Sequence, residues 1–227
     1  MMKCDLHIHS CYSFDSNALP KEIVDKAIKE GIDCIAITDH GEIEGAFEAI
    51  EYSKGKPILI IPGIEIESKE GDILGLNVKE KIPDNLSAKE TIKRIKEMGG
   101  FVVIPHPFGL FWKFKGNLKE LIKEIDAIEV LNASNFERWN KIAEKFAKEY
   151  GIPFTVGSDS HSLDFIGKCY LEIPGDDLSV VEILEKIKSR KGKIYVKEIS
   201  VLERLIEYFK RNIIKVRKYV GRKKRKI

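Results

Sequence analysis

Short β-branched runs alternate with amphipathic stretches of helical period along most of this chain, and that alternation leaves few folds open to it. The pattern predicts strands at 3–9, 33–38, 58–65, 101–106, 127–132, 154–158 and 169–173. Helices are predicted between them, at 20–30, 43–53, 88–98, 118–124, 136–150 and 179–189, with a last one over 201–219. Gly31, Gly99 and Gly151 stand where a left-handed C-terminal cap is wanted. Residues 66–78 read as a small hairpin turning at Glu70-Gly71-Asp72. About seven strand-then-helix units predict a parallel α/β fold, and a closed barrel or an open doubly wound sheet satisfies the count equally. No G-x-G-x-x-G follows the first strand and no P-loop is present, which counts against a dinucleotide-binding sheet.

The polar residues narrow the choice. Residues 5–10 read DLHIHS, and strand alternation puts Asp5, His7 and His9 on one face with Leu6 and Ile8 on the other. A face with two imidazoles and a carboxylate lines a polar site rather than a core. The chain has five histidines, His7, His9, His40, His106 and His161, and each falls at or just beyond the C-terminal end of a predicted strand. Asp39, Glu65, Asn132 and Asp159 fall there too. In a closed α/β barrel those ends form one rim, where active sites are built. Imidazole with carboxylate suits Zn²⁺, Mn²⁺ or Fe²⁺, whereas Mg²⁺ and Ca²⁺ prefer all-oxygen sites. The ligands are too many for one tetrahedral ion, so two or three are expected, with Glu65 able to bridge. Paired ions about 3.5–4 Å apart activate water and stabilise both oxygens of an in-line displacement, which fits phosphate ester hydrolysis.

The segments DLHIHS, AITDHG, PGIEI, IPHPFG and GSDSH, in this order from residue 3 to about 173, resemble the motif series of the polymerase and histidinol phosphatase (PHP) family. The resemblance implies a distorted seven-stranded (β/α) barrel with two or three metal ions at the strand C-termini. The family includes histidinol-phosphate phosphatases, nucleotide phosphodiesterases and exonuclease domains of bacterial replicative polymerases. It implies His7, His9, Glu65 and Asp159 around one ion, Glu65 and His106 at a second, and His40 and His161 at a third. Asp15, in CYSFDS, matches the further ligand of the third ion. Where the family often has a histidine or cysteine for the second ion, this chain has Asn132, whose amide oxygen is a weaker ligand. The expected activity is hydrolysis of a phosphate mono- or diester of a small metabolite or nucleotide, with Glu65, Asp159 and His161 as the catalytic residues. An exonuclease-like or purely nucleic-acid-binding role is the alternative. The barrel subunits of RNase P have such a role, but they lack most of the ligands.

Several of these residues also have plainer readings. Asp39 either orients a ligand imidazole or caps the helix that begins near Gly41, and Asp5 is read as supporting an imidazole. Taken alone, His106 before Pro107 also fits a strand cap, Asp15 a loop acid, and Asn132 a strand-end hydrogen-bonder. Cys11 reads as a small apolar residue rather than a ligand. In the aromatic segment 108–116, Lys113 and Lys115 can meet a phosphate and Phe111 or Trp112 can stack on a ring, or the aromatics simply cover the barrel edge. Arg138 is a further phosphate candidate.

A 43% hydrophobic and 33% charged chain is ordinary for a soluble globular protein. No apolar run approaches the ~20 residues of a membrane span, and no segment reads as a signal peptide. Four cysteines without a C-x-x-C pair suggest no disulfide framework, so a cytoplasmic location is expected. Charge divides the chain. From Lys210 onward it holds ten Lys or Arg and no acid, while residues 1–209 set 29 basic against 36 acidic residues, a net −7. The expected division is a barrel over 1–200 and a C-terminal helix with basic tail over 201–227. Ile213, Ile214, Val216 and Val220 are expected to pack that helix on the barrel. The run Arg222–Lys226 is then left either as a solvated basic end without a partner or for weak, salt-sensitive contact with nucleic acid or another polyanion.

Overall fold

The computed structural model describes residues 1–109 and 113–224, with side chains to residue 220. The expected alternation is present. β1 (Met2–Ile8), α1 (Pro20–Lys29), β2 (Cys34–Ile37), α2 (Glu44–Ser53) and β3 (Leu59–Ser68) are followed by β4 (Gly71–Leu76) and α3 (Ala88–Glu97). Then come β5 (Phe101–Ile104), α4 (Leu118–Leu121), β6 (Ala127–Asn132), α5 (Glu137–Tyr150), β7 (Phe154–Gly157), β8 (Cys169–Ile173), α6 (Val180–Lys188), β9 (Lys193–Val196) and α7 (Val201–Lys224). Gly31, Gly99 and Gly151 all adopt the left-handed backbone expected of them.

The sheet runs β7-β6-β5-β4-β3-β2-β1-β8-β9 and is nearly closed. β1 serves both sides of the gap. Its first residues, Met2 to Cys4, pair antiparallel with β8. Its far end meets the chain beyond β7, through Asp159 N–H to His7 C=O at 2.8 Å and His9 N–H to Ser160 C=O at 2.9 Å. Strands β1 to β7 thus make a distorted seven-stranded barrel, with β8 and β9 extending the sheet past it. It is not wholly parallel: β4 runs antiparallel to both β3 and β5. The hairpin that inserts β4 turns at Lys69-Glu70, between paired Ser68 and Gly71, one step earlier than the sequence suggests.

The barrel interior has two storeys. The lower is apolar and built from small and branched side chains, among them Cys4, Leu6, Ala36, Ile61, Val103 and Val156. Outward-facing residues such as Ile35 and Ile37, or Val102 and Ile104, pack under the helices. The upper storey, at the strand C-termini, is polar. A register shift between Asp5 and Ile8 separates the two in β1. Leu6 points into the apolar interior, whereas Ile8 packs outside with Ile35 and Ile37. The bulge therefore lets His7 and His9 enter the barrel while Asp5 leaves their face. Among the described residues no helix is long and apolar enough to cross a membrane.

Helix α7 crosses the C-terminal mouth of the barrel, but not on its apolar side. Arg204 donates to the carbonyls of Ala133 and Asn135. Glu207 accepts from His161 N–H at 3.1 Å and from Ser162 Oγ at 2.6 Å. Lys218 Nζ donates to the carbonyls of Cys11, Ser13 and Ser16 at 2.8, 2.7 and 2.6 Å. Of the four residues expected to pack on the barrel, Ile214 alone is half-buried; Ile213, Val216 and Val220 are exposed. The side chains of the Arg222–Lys226 run lie outside the described residues.

Candidate metal centre

Five strands and the segments that leave them bring one cluster together. β1 delivers His7 and, just past its end, His9; the segment after β2 delivers His40; β3 delivers Glu65; and the segments after β5 and β7 deliver His106, Asp159 and His161. His106 and Asp159 sit at φ 31° and 49°, in the left-handed region that costs a non-glycine residue about 1–3 kcal/mol. Gly157 makes the approach of β7 possible, because a Cβ there would overlap that of His7 and crowd Glu129.

The donors form three overlapping triplets, His7–His9–Asp159, His7–Glu65–His106 and His9–His40–His161. Glu65 joins them. Its Oε2 lies 3.5 Å from His7, 3.3 Å from His9 and 3.1 Å from His40, and its Oε1 lies 3.2 Å from His106. Asp159 Oδ1 is 3.6, 3.4 and 3.5 Å from His7, His9 and His161. Donors about 2.1 Å from one centre at tetrahedral angles stand about 3.4 Å apart.

Hydrogen bonding behind the rings sets which nitrogen is available. His161 Nδ1 faces the Asp159 carbonyl at 3.0 Å, and a carbonyl only accepts, so the proton is on Nδ1. His7 Nδ1 faces Glu129 Oε1 at 3.1 Å, with the same result. His9 Nδ1 meets Ser13 Oγ at 3.0 Å, whose hydroxyl donates onward to Asp39 Oδ1 at 2.8 Å. In the neutral rings the Nε2 lone pairs of His7 and His9 then face each other across 3.1 Å with no proton between them. His161 Nε2 and Asp15 Oδ1 are buried without a hydrogen-bond partner. Facing lone pairs and orphaned acceptors at the bottom of one pocket are what a bound cation satisfies. The residues fit a divalent transition metal.

The electrostatics agree. Burial opposes charge on His9 and His106, but Asp159 and Glu65 push His9, and Glu65 pushes His106, up to about 9. Burial would raise Glu65 and Asp159, yet the surrounding imidazoles hold both carboxyls well below the usual range. Burial, Arg211 and His9 bring His161 down to about 4, leaving it neutral.

Arg211 enters the same cluster from α7. Its Nε binds Asp15 Oδ2 at 2.6 Å and its Nη2 lies 3.3 Å from His40 Nε2. Asp15 Oδ2 is also 3.5 Å from His40 and 3.4 Å from His161, so the third set of expected ligands is assembled, with a guanidinium against it. Above the cluster opens a cleft of about 290 Å³ bounded by Glu65, Asp72, Phe136, Arg204, Tyr208 and Arg211. Burial and Glu65 raise Asp72 to about 6.

Some sequence expectations change here. Asp5 accepts from the Ser158 and Gly167 amides at 2.8 and 3.1 Å and pins the barrel seam instead of an imidazole. Asp39 does not cap α2; it accepts from Ser10 N–H and Oγ, both at 2.6 Å, and reaches His9 only through Ser13. Asn132 turns its oxygen away from the cluster, where the amides of Ser134 and Asn135 hold it at 2.9 and 3.2 Å. Its NH₂ faces Glu129 and Asp159 at 2.9 and 3.3 Å, so it supports carboxylates and offers no ligand oxygen. Cys11, read as an apolar residue rather than a ligand, indeed belongs to none of the triplets. Lys113, Lys115 and Arg138 do not line the cleft. Phe111 and Trp112 lie outside the described residues.

Sequence reasoning missed Glu129, whose signal was available: an acid in the apolar run IEVLN is rarely buried without a partner. Besides the His7 ring it accepts from the backbone N–H of His106 at 2.9 Å, so it orients one imidazole and fixes the main chain that carries another. Glu129→Gln is expected to lower metal affinity about 10- to 100-fold, the usual cost of losing a carboxylate behind a ligand histidine. Titration with a competing chelator checks this, and an unchanged affinity would contradict it.

The chain is similar to known proteins. The PHP domain model matches residues 5–217. The uncharacterized protein MJ1587 of Methanocaldococcus jannaschii is 40% identical over 142 residues, covering 58% of this chain and 82% of the relative. A probable histidinol-phosphatase of Thermotoga maritima is 28% identical, covering 74% of this chain and 88% of the relative. Among solved structures, a two-domain protein from Bacteroides vulgatus containing a predicted PHP-like metal-dependent phosphoesterase superposes with a TM-score of 0.74. The identity is 20%, over 92% of this chain and 69% of that one.

Proposed function

This chain belongs to the PHP domain family, and we propose that it hydrolyses a phosphate ester of a small metabolite or nucleotide using two or three divalent transition-metal ions. The observation that carries this reading is the pair of Nε2 atoms 3.1 Å apart beneath an open cleft, ringed by Glu65 and Asp159. His7, His9, Glu65, His106 and Asp159 would hold two ions, and His40 and His161, with Asp15, a third. Such ions, when bound, activate water and neutralise charge on phosphoryl oxygens.

The chain's own groups do the rest. Arg211 and Arg204 line the cleft and bring positive charge to a phosphate there. Phe136 and Tyr208 offer apolar faces to the organic part of the ester. Asp72, which burial and the neighbouring Glu65 push up to about 6 in the metal-free chain, faces the same space and is the carboxyl placed to donate to the leaving oxygen. The Thermotoga relative's name suggests a phosphate monoester, which makes histidinol phosphate one substrate to try. A cleft of about 290 Å³ beneath α7 favours a small ester over a polynucleotide threaded through the site.

Elemental analysis after reconstitution, followed by assays with p-nitrophenyl phosphate and its bis ester, tests the reading. More than one transition-metal ion per chain and chelator-sensitive hydrolysis of one ester are expected. Less than one ion per chain, or no hydrolysis of either ester when loaded, would defeat it.

A further inference from the structure

Helix α7 is inside out. The side chains it turns to the barrel are mostly charged, and its solvent face is apolar. Leu202, Ile206, Phe209, Ile213, Val216 and Val220 are all exposed, Leu202 at 65%, Phe209 at 59% and Val216 at 61%. Their spacing is 4-3-4-3-4, the a/d repeat of a coiled coil sustained over nineteen residues. Opposite them, Arg204, Arg211 and Lys218 recur every seven residues and are bound to the barrel. One periodicity sets both faces: the f positions clamp the mouth, and the a and d positions stay exposed among the described residues, with Phe209 also at the edge of the cleft.

We propose that α7 pairs with α7 of a second copy of this chain as an antiparallel coiled coil. The stripe reads the same in both directions. About a two-fold axis near residue 211, Leu202 meets the other copy's Val220, Ile206 its Val216, and Phe209 its Ile213, so each a position faces a d position. Charge selects this orientation. Residues 201–209 carry a net −1 and residues 210–220 a net +5. Most of these charges face the barrel, Arg204 and Glu207 among them, so what antiparallel pairing does is keep the two cation-rich halves apart and bring exposed Arg217 beside Glu203 of the other copy.

An anionic lipid surface is the competing occupant, because basic amphipathic helices bind such surfaces. It needs cations free to reach head groups. Five of the six between residues 201 and 218 are committed to this chain. Arg204 and Lys218 hold backbone carbonyls, Lys210 and Arg211 hold Asp164 and Asp15, and Lys215 lies 4.9 Å over the Phe14 ring. Over the stretch that carries the apolar stripe the second copy fits better, and the cations of 222–226 are left to the vesicle arm of the test.

Light scattering on the eluting full chain should give twice the 25.9 kDa chain mass. Ile213→Glu combined with Val216→Glu should give a monomer with the same circular dichroism spectrum and metal content. Should that variant not fold, disulfide trapping reads the register directly. Leu202→Cys protein mixed with Val220→Cys protein should cross-link, and Val220→Cys protein alone should not. A chain monomeric at about 100 μM, well above a micromolar Kd, would overturn the proposal. So would a dimer that survives both glutamates, or Val220→Cys self-cross-linking, which marks parallel strands. A monomer that sediments with phosphatidylserine vesicles would overturn it in favour of lipid.

Discussion

Glu65→Gln is expected to lower kcat/KM at least about a thousandfold, ~4 kcal/mol of barrier, while leaving the barrel folded. The substitution changes almost no volume, so the buried β3 position stays filled. What it changes is the one group that touches four imidazoles. Glu65 Oε2 lies within 3.5 Å of His7, His9 and His40, and Oε1 faces His106 at 3.2 Å. An amide removes the negative charge and turns one of those oxygens into an NH₂, a donor aimed at lone pairs that need a cation. The loss falls on the joint between donor triplets, so metal content should drop together with activity. Activity assays, elemental analysis and thermal melts on one preparation check this. Turnover within about tenfold of the parent, a difference of only ~1.4 kcal/mol, would remove Glu65 from the centre of the proposed chemistry.

The histidines were legible because chemistry and period coincide in them. Each closes a strand, and a barrel gathers strand ends whatever the packing below. What escaped was aperiodic or inverted. The β1 bulge is one extra residue, invisible to alternation, and it alone takes Asp5 off the face of His7 and His9. The antiparallel insertion of β4 follows from a two-residue turn whose register only pairing partners decide. Strand β9 is a four-residue edge strand, largely exposed, with too little pattern to declare itself. Helix α7 misled for a different reason. Amphipathic spacing tells where the apolar stripe is but not which side meets the protein, and here carbonyls and carboxylates at the barrel mouth outbid the stripe. Arg211 thereby joined the centre from a segment that charge alone marked as a tail.

Metal loading is expected to release protons and to widen its stabilising effect as pH rises. Without metal, His9 and His106 are pushed up from an ordinary 6.5 to about 9, and His7 also lies well above it. A histidine raised in this way holds its proton more tightly folded than unfolded. Its contribution to stability is complete below about 6.5 and is lost as pH climbs through about 9. Glu65 and Asp159, held well below the usual range, act in the opposite sense and contribute above about pH 4, losing that contribution only in stronger acid. The metal-free chain should therefore lose melting temperature between pH 6.5 and 9. Divalent metal binds only the neutral rings, so it competes with those same protons and gains affinity over the same interval. Its effect on melting temperature should grow steadily from pH 6.5 to 9. Calorimetry near neutral pH in buffers of different ionisation enthalpy should register the protons displaced from the imidazoles. A melting-temperature gap that stays constant with pH, or binding with no proton release, would mean that the histidines are not the ligands, however close together they lie.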